Sequence, residues 1–443
     1  MKDQYAIVAL AVLALRAQAT AADILTLDHA LALAADNNRS VQSAALDIQK
    51  AQDRIAATRT KQFPAMSLYM LGAQQLQSFD FTLEKGVLGS YEGTGPLPSQ
   101  DVHLKTPLQP TGLIMGRISQ PLTSLIRIRR NLDMLRTGES LAHEQTRAER
   151  QKTVREVKRL YYTLQQVHSS MRTVRETAKL YEEIEKLTSN YVVQQVALKG
   201  DLLDIQARRA RTEQAEMHLE NQQAAAKEQL NVLLGRDIST EFEVQSIFEA
   251  SGQDLDLEQA RAIALRSRPE FRQTALRQTQ AQQDFRTKKA EYIPDVSVEF
   301  NNLTFLNWDR FMPTQSMSIG VSLTWEPFDW GRKKHELAEK QRTIEQAKLS
   351  KKQAESFVLA EVNDKYRQVR YRRAELRVMR LTQEAAIENL RVVKRRYGVQ
   401  AVLLKDVLQS QVNLEQSNTD YQQALTNFWN ARAEFEHALG EEL

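Results

Sequence analysis

Cysteine is absent from this 443-residue chain, which excludes disulfides, thiolate metal sites, a cysteine nucleophile and lipidation on cysteine. No run of 18 apolar residues occurs, so no segment is built to cross a bilayer as a helix. Glycine and proline are scarce, at 15 and 10 residues, too few for a fibrous or low-complexity chain. Neither sign of charge dominates. The 60 basic and 56 acidic residues are interspersed and leave a formal net charge of +4, which is not the footprint of a polyanion binder. The histidines at 29, 103, 143, 168, 218, 335 and 437 form no His-Glu-x-x-His pair. There is no Gly-x-x-x-x-Gly-Lys-Ser/Thr loop and no Gly-x-Ser-x-Gly elbow. The expectation is a protein with no catalytic residue, no cofactor, no metal site and no nucleic-acid partner.

What is present is a duplication. Residues 27–68 align without a gap to residues 257–298, pairing Leu27 with Leu257, Ala45-Leu46 with Ala275-Leu276, and Phe63-Pro64 with Ile293-Pro294. Further on, Gln120-Pro121-Leu122 answers Glu326-Pro327-Phe328, and Leu234-Gly235 answers Leu439-Gly440. One long unit used twice predicts a pseudo-symmetric object rather than a stacked solenoid. The chain divides into residues 1–22, a first repeat over 23–235, a linking segment 236–255 and a second repeat over 256–443. Lys2, the apolar stretch Ala6–Leu15 and the small-x-small sites Ala17-Gln18-Ala19 and Thr20-Ala21-Ala22 have the layout of a secretory signal peptide. An ordinary amphipathic N-terminal helix is the other reading of that segment.

Residues 122–268 and 328–443 contain no proline. Gly200 is the single glycine between 139 and 234, and Gly398 the single one between 332 and 439. Such stretches predict two long helical hairpins, at 122–235 and 328–440. Positions stepping alternately by four and three carry apolar residues at seven of eleven places from 362 to 397, Val362, Tyr366, Val369, Leu376, Ile387, Leu390 and Tyr397, and at seven of ten from 407 to 439, Val407, Leu414, Tyr421, Leu425, Phe428, Phe435 and Leu439. A sustained 3.5 period is a coiled-coil seam. Copy 1 carries it less regularly, through Val154, Val157, Tyr161, Leu164, Met171, Ala178 and Tyr191.

Between the helices the period changes to two. Val296, Val298 and Phe300 alternate with polar neighbours, and so do Met317, Ile319, Val321, Leu323 and Trp325 within a strand expected over Met317–Glu326. The hairpin regions are 295–327 and, in copy 1, 65–121, where strands at Met66–Met70 and Leu113–Ser119 alternate less cleanly because Gly116 and Arg117 intrude. Strands of about 10 residues with one apolar face suit a membrane β-barrel. The same alternation suits a soluble hairpin resting on a core. Trp308, Phe311, Trp325, Phe328 and Trp330 gather at the strand ends, as an interfacial aromatic girdle does.

The order of these parts resembles the TolC-like outer-membrane efflux proteins over essentially residues 24–440. The most specific stretch is Arg396-Tyr397-Gly398-Val399-Gln400-Ala401-Val402-Leu403-Leu404-Lys405-Asp406-Val407-Leu408, which is similar to the family's helix–turn–helix tip. Tyr191 through Asp201-Leu202-Leu203 is its copy-1 counterpart, and Glu326-Pro327-Phe328-Asp329-Trp330-Gly331 resembles the family's strand exit. The resemblance implies a mainly α fold with a small membrane β part. In it, duplicated coiled-coil hairpins form a periplasmic α-barrel, and four strands per protomer contribute to a trimeric transmembrane β-barrel. It implies an exit duct for efflux or secretion, located in the outer membrane with a large periplasmic part. Its partners would be a periplasmic adaptor, an inner-membrane transporter and outer-membrane lipid. The strand residues Val296, Val298, Phe300, Met317, Ile319, Val321, Leu323 and Trp325 would then face lipid. Asp406, Asp201 and Gln409 would lie at the periplasmic mouth, where Asp406 either contributes to a ring of carboxylates or caps the helix that restarts there, with the same choice for Asp201. Gln194, Gly200, Tyr397, Gly398 and Gln400 would form the adaptor-docking tips, where glutamine at 194 and 400 departs from the family's glycines. The competing reading is a cytoplasmic coiled-coil scaffold without channel activity.

Overall fold

The structure, a computed structural model, describes residues 23–78, 80–105, 108–195, 198–245, 255–307, 314–399 and 401–441. The expected signal segment 1–22, together with Trp308, Phe311 and Gln400, lies outside the described residues. Repeat 1 comprises β1 (Asp23–Leu25), α1 (Leu27–Asn37), α2 (Arg39–Thr60), β2 (Ala65–Gln74), four short strands β3 (Asp80–Leu83), β4 (Ser90–Tyr91), β5 (Gly95–Pro96) and β6 (Val102–Lys105), then β7 (Pro110–Pro121), α3 (Ser124–Val193) and α4 (Lys199–Leu233). After β8 (Phe242–Val244), repeat 2 comprises α5 (Leu257–Ser267), α6 (Pro269–Lys289), β9 (Asp295–Leu306), β10 (Gln315–Thr324), α7 (Arg332–Gly398) and α8 (Leu404–Leu439). The helical hairpins pair arms of 70 and 35 residues in copy 1 and of 67 and 36 in copy 2. At 1.5 Å per residue, α3 alone runs about 105 Å.

The chain forms two compact units, each drawing on both repeats. The first contains residues up to Gln49, Ser140–Arg277 and Lys348–Leu443. Its largest core joins Val157, Tyr161 and Leu164 of α3 to Ala226 and Leu230 of α4, Phe428 and Trp429 of α8, and Ala30, Leu31 and Ala34 of α1. The heptad line of α3 is therefore consumed by neighbours within one chain. That of α7 is not, since Val362 is fully buried whereas Ile387 remains 49% exposed.

The two repeats close on themselves by the same device. Gly235 and Gly440 end the return helices in the left-handed region, with φ of 68° and 76°. Each presses against the end of the short helix that opens its own repeat. A Cβ on Gly235 would collide with the Asn37 carbonyl, and one on Gly440 would lie 2.8 Å from the Arg268 nitrogen. Asn38 and Arg268, which correspond at the 230-residue offset, then bind the return helix. Asn38 Nδ2 donates to the Leu233 carbonyl at 2.8 Å, and Arg268 Nη1 to the His437 carbonyl at 3.2 Å. Carbonyls left without partners at a helix C-terminus are satisfied in this way.

The segment 236–255 is more than a linker. Its β8 pairs in parallel with β1. Tyr161, fully buried, donates from its hydroxyl to the Leu25 carbonyl at 2.9 Å and accepts from the Gln245 N–H at 3.1 Å. Three-residue strands 217 residues apart leave no periodic signal, so sequence reading passed over them.

The second unit contains Lys50–Glu139 and Gln278–Ala347 and holds one four-stranded antiparallel sheet in the order β10-β9-β7-β2. Its strands differ from expectation at the ends. β2 and β7 are longer than predicted, and β10 ends at Thr324, so Trp325 and Glu326 lie beyond it. Thr324 pairs with Asp295, the first residue of β9, and Pro294 before it has no N–H to extend the ladder. At this end the chain is pinned to its helix. Thr123 Oγ1 donates to the Pro294 carbonyl at 2.6 Å, and Arg127 Nη2 reaches both carboxylate oxygens of Asp295 at 2.6–2.7 Å. The long copy-1 loop is itself structured by the β3–β6 and β4–β5 pairs.

Candidate functional site

Residues paired across neighbouring strands share a face, so the register sorts every side chain of the sheet. One face carries the rows Gln120–Val298–Val321, Met66–Ile118–Phe300–Ile319, Leu68–Gly116–Asn302–Met317 and Met70–Ile114–Thr304–Gln315, with Val296 and Leu323 beyond them. Seven of the residues singled out in sequence, Val296, Val298, Phe300, Met317, Ile319, Val321 and Leu323, all fall on this apolar face. Ile319 is 77% and Val321 70% exposed, so nothing among the described residues covers them. The eighth, Trp325, stands outside the strand, exposed beside Phe328 and Trp330. Phe328 and Trp330 pack edge to face at 4.7 Å.

The opposite face carries Ser297–Ser322, Ala65–Ser119–Glu299–Gly320 and Ser67–Arg117–Asn301–Ser318. Arg117 and Glu299 form an ion pair there, and Ser297 Oγ donates to Glu299 at 3.2 Å. Arg117, which looked like an intruder in the sequence, is therefore in register on the polar face. The apolar residues Met66, Leu68, Met70, Ile114 and Ile118 were missed as members of the apolar face. Only strand pairing, not the alternation of a single strand, reveals them.

At the far ends of the hairpins both tips are rebuilt identically. Asp201 Oδ2 accepts from the Leu198 N–H at 3.1 Å, and Asp406 Oδ2 accepts from the Leu403 N–H at 3.0 Å. Each carboxylate thus reaches back over the first turn of α4 or α8, half of a capping box, and lies at the positive end of the helix dipole. Gln409 lies one turn on and bonds Asn413 at 3.1 Å. Gln194 closes the copy-1 turn, but the left-handed residue there is Gln195, with φ of 56°. Gly200 lies inside α4 and Gly398 is the last residue of α7. The half-buried Tyr397 hydroxyl is held above its ordinary pKa, first by burial and then by the nearby Tyr191, so the corresponding tyrosines of the two tips approach each other. Val193, Leu198, Val399 and Leu403 are exposed at the tips.

Where α8 packs on the copy-1 hairpin there is a cavity of about 330 Å³, with Thr177, Tyr181, Arg208, Thr212 and Glu415 in its wall. Burial pushes the Glu415 carboxyl up from its ordinary 4.5, partly offset by hydrogen bonds from Gln411, Tyr181 and Thr177. An acid with a raised pKa in the packed state binds its proton more tightly there than when exposed. The contribution of Glu415 is therefore fully present below 4.5 and is lost as pH rises through its raised value. His437 works in the opposite sense, because burial and then Arg155 and Arg268 hold it below 6.5. We expect Glu415→Gln to lessen the fall in melting temperature as pH rises above 4.5, while leaving the fall toward acid that His437 contributes. Melting curves of the two proteins across pH check this, and parallel curves would exclude Glu415 as the source.

Among the described residues no group of His, Cys, Asp or Glu could hold a metal ion, and no helix is long and apolar enough to cross a membrane. The model of the family described as "Outer membrane efflux protein" matches residues 30–236 and 261–441. No curated protein sequence matches the chain. Solved structures do. The outer-membrane channel OprN shares 17% identity over 94% of this chain and 89% of its own, with a TM-score of 0.75. The CmeC outer membrane channel of Campylobacter jejuni shares 13% identity over 94% of this chain and 85% of its own, with a TM-score of 0.76. The MtrE outer membrane channel of Neisseria gonorrhoeae, in its open state, shares 17% identity over 94% of this chain and 88% of its own, with a TM-score of 0.71. The scaffold reading finds no support in these matches. With the family pattern present in both halves, the chain belongs to the outer membrane efflux protein family.

Proposed function

We propose that this chain is one third of an exit duct through the outer membrane, with the apolar face of its sheet against lipid and the polar face lining the lumen. The observation that carries this reading is the two-faced sheet. Among the described residues its apolar face has no partner, and its edge strands β2 and β10 have no ladder partner on their outer sides. Inside a bilayer an open edge is untenable, so the sheet closes by pairing β10 of one copy with β2 of the next. The half-exposed seam of α7 asks for the same neighbours. The exposed tips, with Gln194, Gly200, Tyr397 and Gly398 around their apolar residues, face the periplasm and dock an adaptor that links to an inner-membrane transporter. The duct moves solute without chemistry. Native mass measurement in detergent should give a trimer that forms conducting channels in planar bilayers. A folded monomer in detergent-free buffer would refute the reading.

At the mouth, three copies bring three Asp406 side chains round one axis, and a carboxylate ring favours cations. The cap requires only an acceptor oxygen, which asparagine retains. Asp406→Asn should therefore lower cation selectivity and block by multivalent cations, with little change in trimer stability. Unchanged selectivity with a lowered melting temperature would reduce Asp406 to its capping role. Asp201, capping the other tip in the same way, serves as the comparison.

A further inference from the structure

The polar face of the sheet is not polar throughout. Toward the hairpin loops it carries six large side chains in two rows, Tyr69–Met115–Leu303 and Leu71–Leu113–Phe305, with Ser316 paired to Leu303 on β10 and the Ala73–Thr111 pair nearer the loops. These six side chains are contiguous on three adjacent strands, directly above the row containing Ser67, Arg117, Asn301 and Ser318. At the same level the other face is mixed, with Leu68, Met70, Ile114 and Met317 beside Asn302, Thr304 and Gln315, where Gln315 Nε2 donates to Asn302 at 3.0 Å and Asn302 to Thr304 at 3.4 Å. Toward its loop end the sheet is thus largely apolar on both faces. A sheet that only needed to separate lipid from water would not place its largest apolar side chains on the wet wall.

We infer that these six residues form an apolar collar inside the outer mouth of the duct, a specificity-determining band that favours solutes with apolar surface over small hydrated ions. The inference rests on the proposed lumen orientation of the polar face. Three copies place 18 such side chains round the lumen, two rows deep, or about 7 Å along each strand. Apart from the Tyr69 and Ser316 hydroxyls, hydrated ions find no hydrogen-bonding side chain over that depth, and apolar constrictions of this kind resist ion flow by dewetting. A solute with an apolar ring or chain loses water contact there at a gain, because removing apolar surface from water is favourable. The cargo class this selects is amphipathic or apolar small molecules.

Because the chain has no cysteine, single cysteines report cleanly in the assembled protein in planar bilayers. Ser318→Cys tests the orientation. A charged, water-soluble thiol reagent should reduce its conductance while leaving Ile319→Cys unaffected, and the reverse pattern would refute the lumen reading itself. Leu113→Ser combined with Phe305→Ser tests the collar. Small-ion conductance should rise severalfold, and cells relying on this duct should lose resistance to apolar toxic compounds more than to hydrophilic ones. Unchanged conductance in that variant, with Ser318→Cys still blocked, would overturn the collar alone. The long loop is the other occupant to test, by replacing residues 84–101 with Asn-Gly between the paired Leu83 and Val102. If Phe305→Cys reacts only after that replacement, the rows are a seat for the loop and the collar is likewise overturned.

Discussion

Val321→Arg should cost the assembled protein about 2–4 kcal/mol, the range for an arginine on the lipid side of a barrel strand near the bilayer midplane. Ser322→Arg, one residue on, should assemble normally and alter conductance instead. The contrast follows from the register. Val321 pairs with Val298 and lies in line with Gln120 on the apolar face, whereas Ser322 pairs with Ser297 on the other. The guanidinium at 321 would have to shed its water into hydrocarbon or drag water in with it. At 322 it would join the wall that already holds Arg117 and Glu299. Outer-membrane assembly and trimer melting for the two variants decide the matter, and equal tolerance of both would sink the lipid-facing assignment.

Gly235→Ala should be comparably damaging in the helical unit. A non-glycine residue held in the left-handed region costs about 1–3 kcal/mol from the backbone alone. Here the added methyl also collides with the Asn37 carbonyl, which belongs to the backbone and cannot swing aside. Gly440→Ala should repeat the effect in the second repeat, against Ser267 and Arg268. Gly200→Ala is the control, since it lies in α4 with open space at its Cβ. Relieving a helical glycine should stabilise by about 0.5–1 kcal/mol. Thermal denaturation of the three variants should therefore separate the two closing glycines from the tip glycine by sign.

The parts of the fold that repeat a period were legible in the sequence. The proline-free stretches became α3, α4, α7 and α8, and the matching Leu234-Gly235 and Leu439-Gly440 mark the ends of the two return helices. The matching pairs were visible, but the reason for them was not. Nothing local says that Gly235 must touch Asn37, because that contact joins residues 198 positions apart. Strands were legible in proportion to their alternation. β10 alternates without fault and was placed within two residues, whereas β7 seemed irregular because Gly116 and Arg117 intrude, although in the sheet Arg117 is in register and it is Leu113 and Met115 that are apolar on the polar face. At the tips the sequence left Asp406 and Asp201 between ring and cap. The hydrogen bonds to Leu403 and Leu198 show that each does the second, and the first depends on neighbours a single chain does not contain.

The connectivity of the two compact units fixes an order of completion during synthesis. Everything that fastens repeat 1 to itself lies between Asp23 and Gln245: the β1–β8 pair, Tyr161 bonding both strand ends, Asn38 on Leu233 and Gly235 on Asn37. That closure is available once roughly half the chain exists. The sheet is different, because its central pair joins β7 to β9, and β9 is made only after two long helices and two short ones have followed β7. At roughly 5–20 residues per second, the interval is on the order of 10–30 s. Throughout it β7 carries β2 on one side and a bare row of N–H and C=O groups on the other, the kind of edge on which unrelated chains assemble.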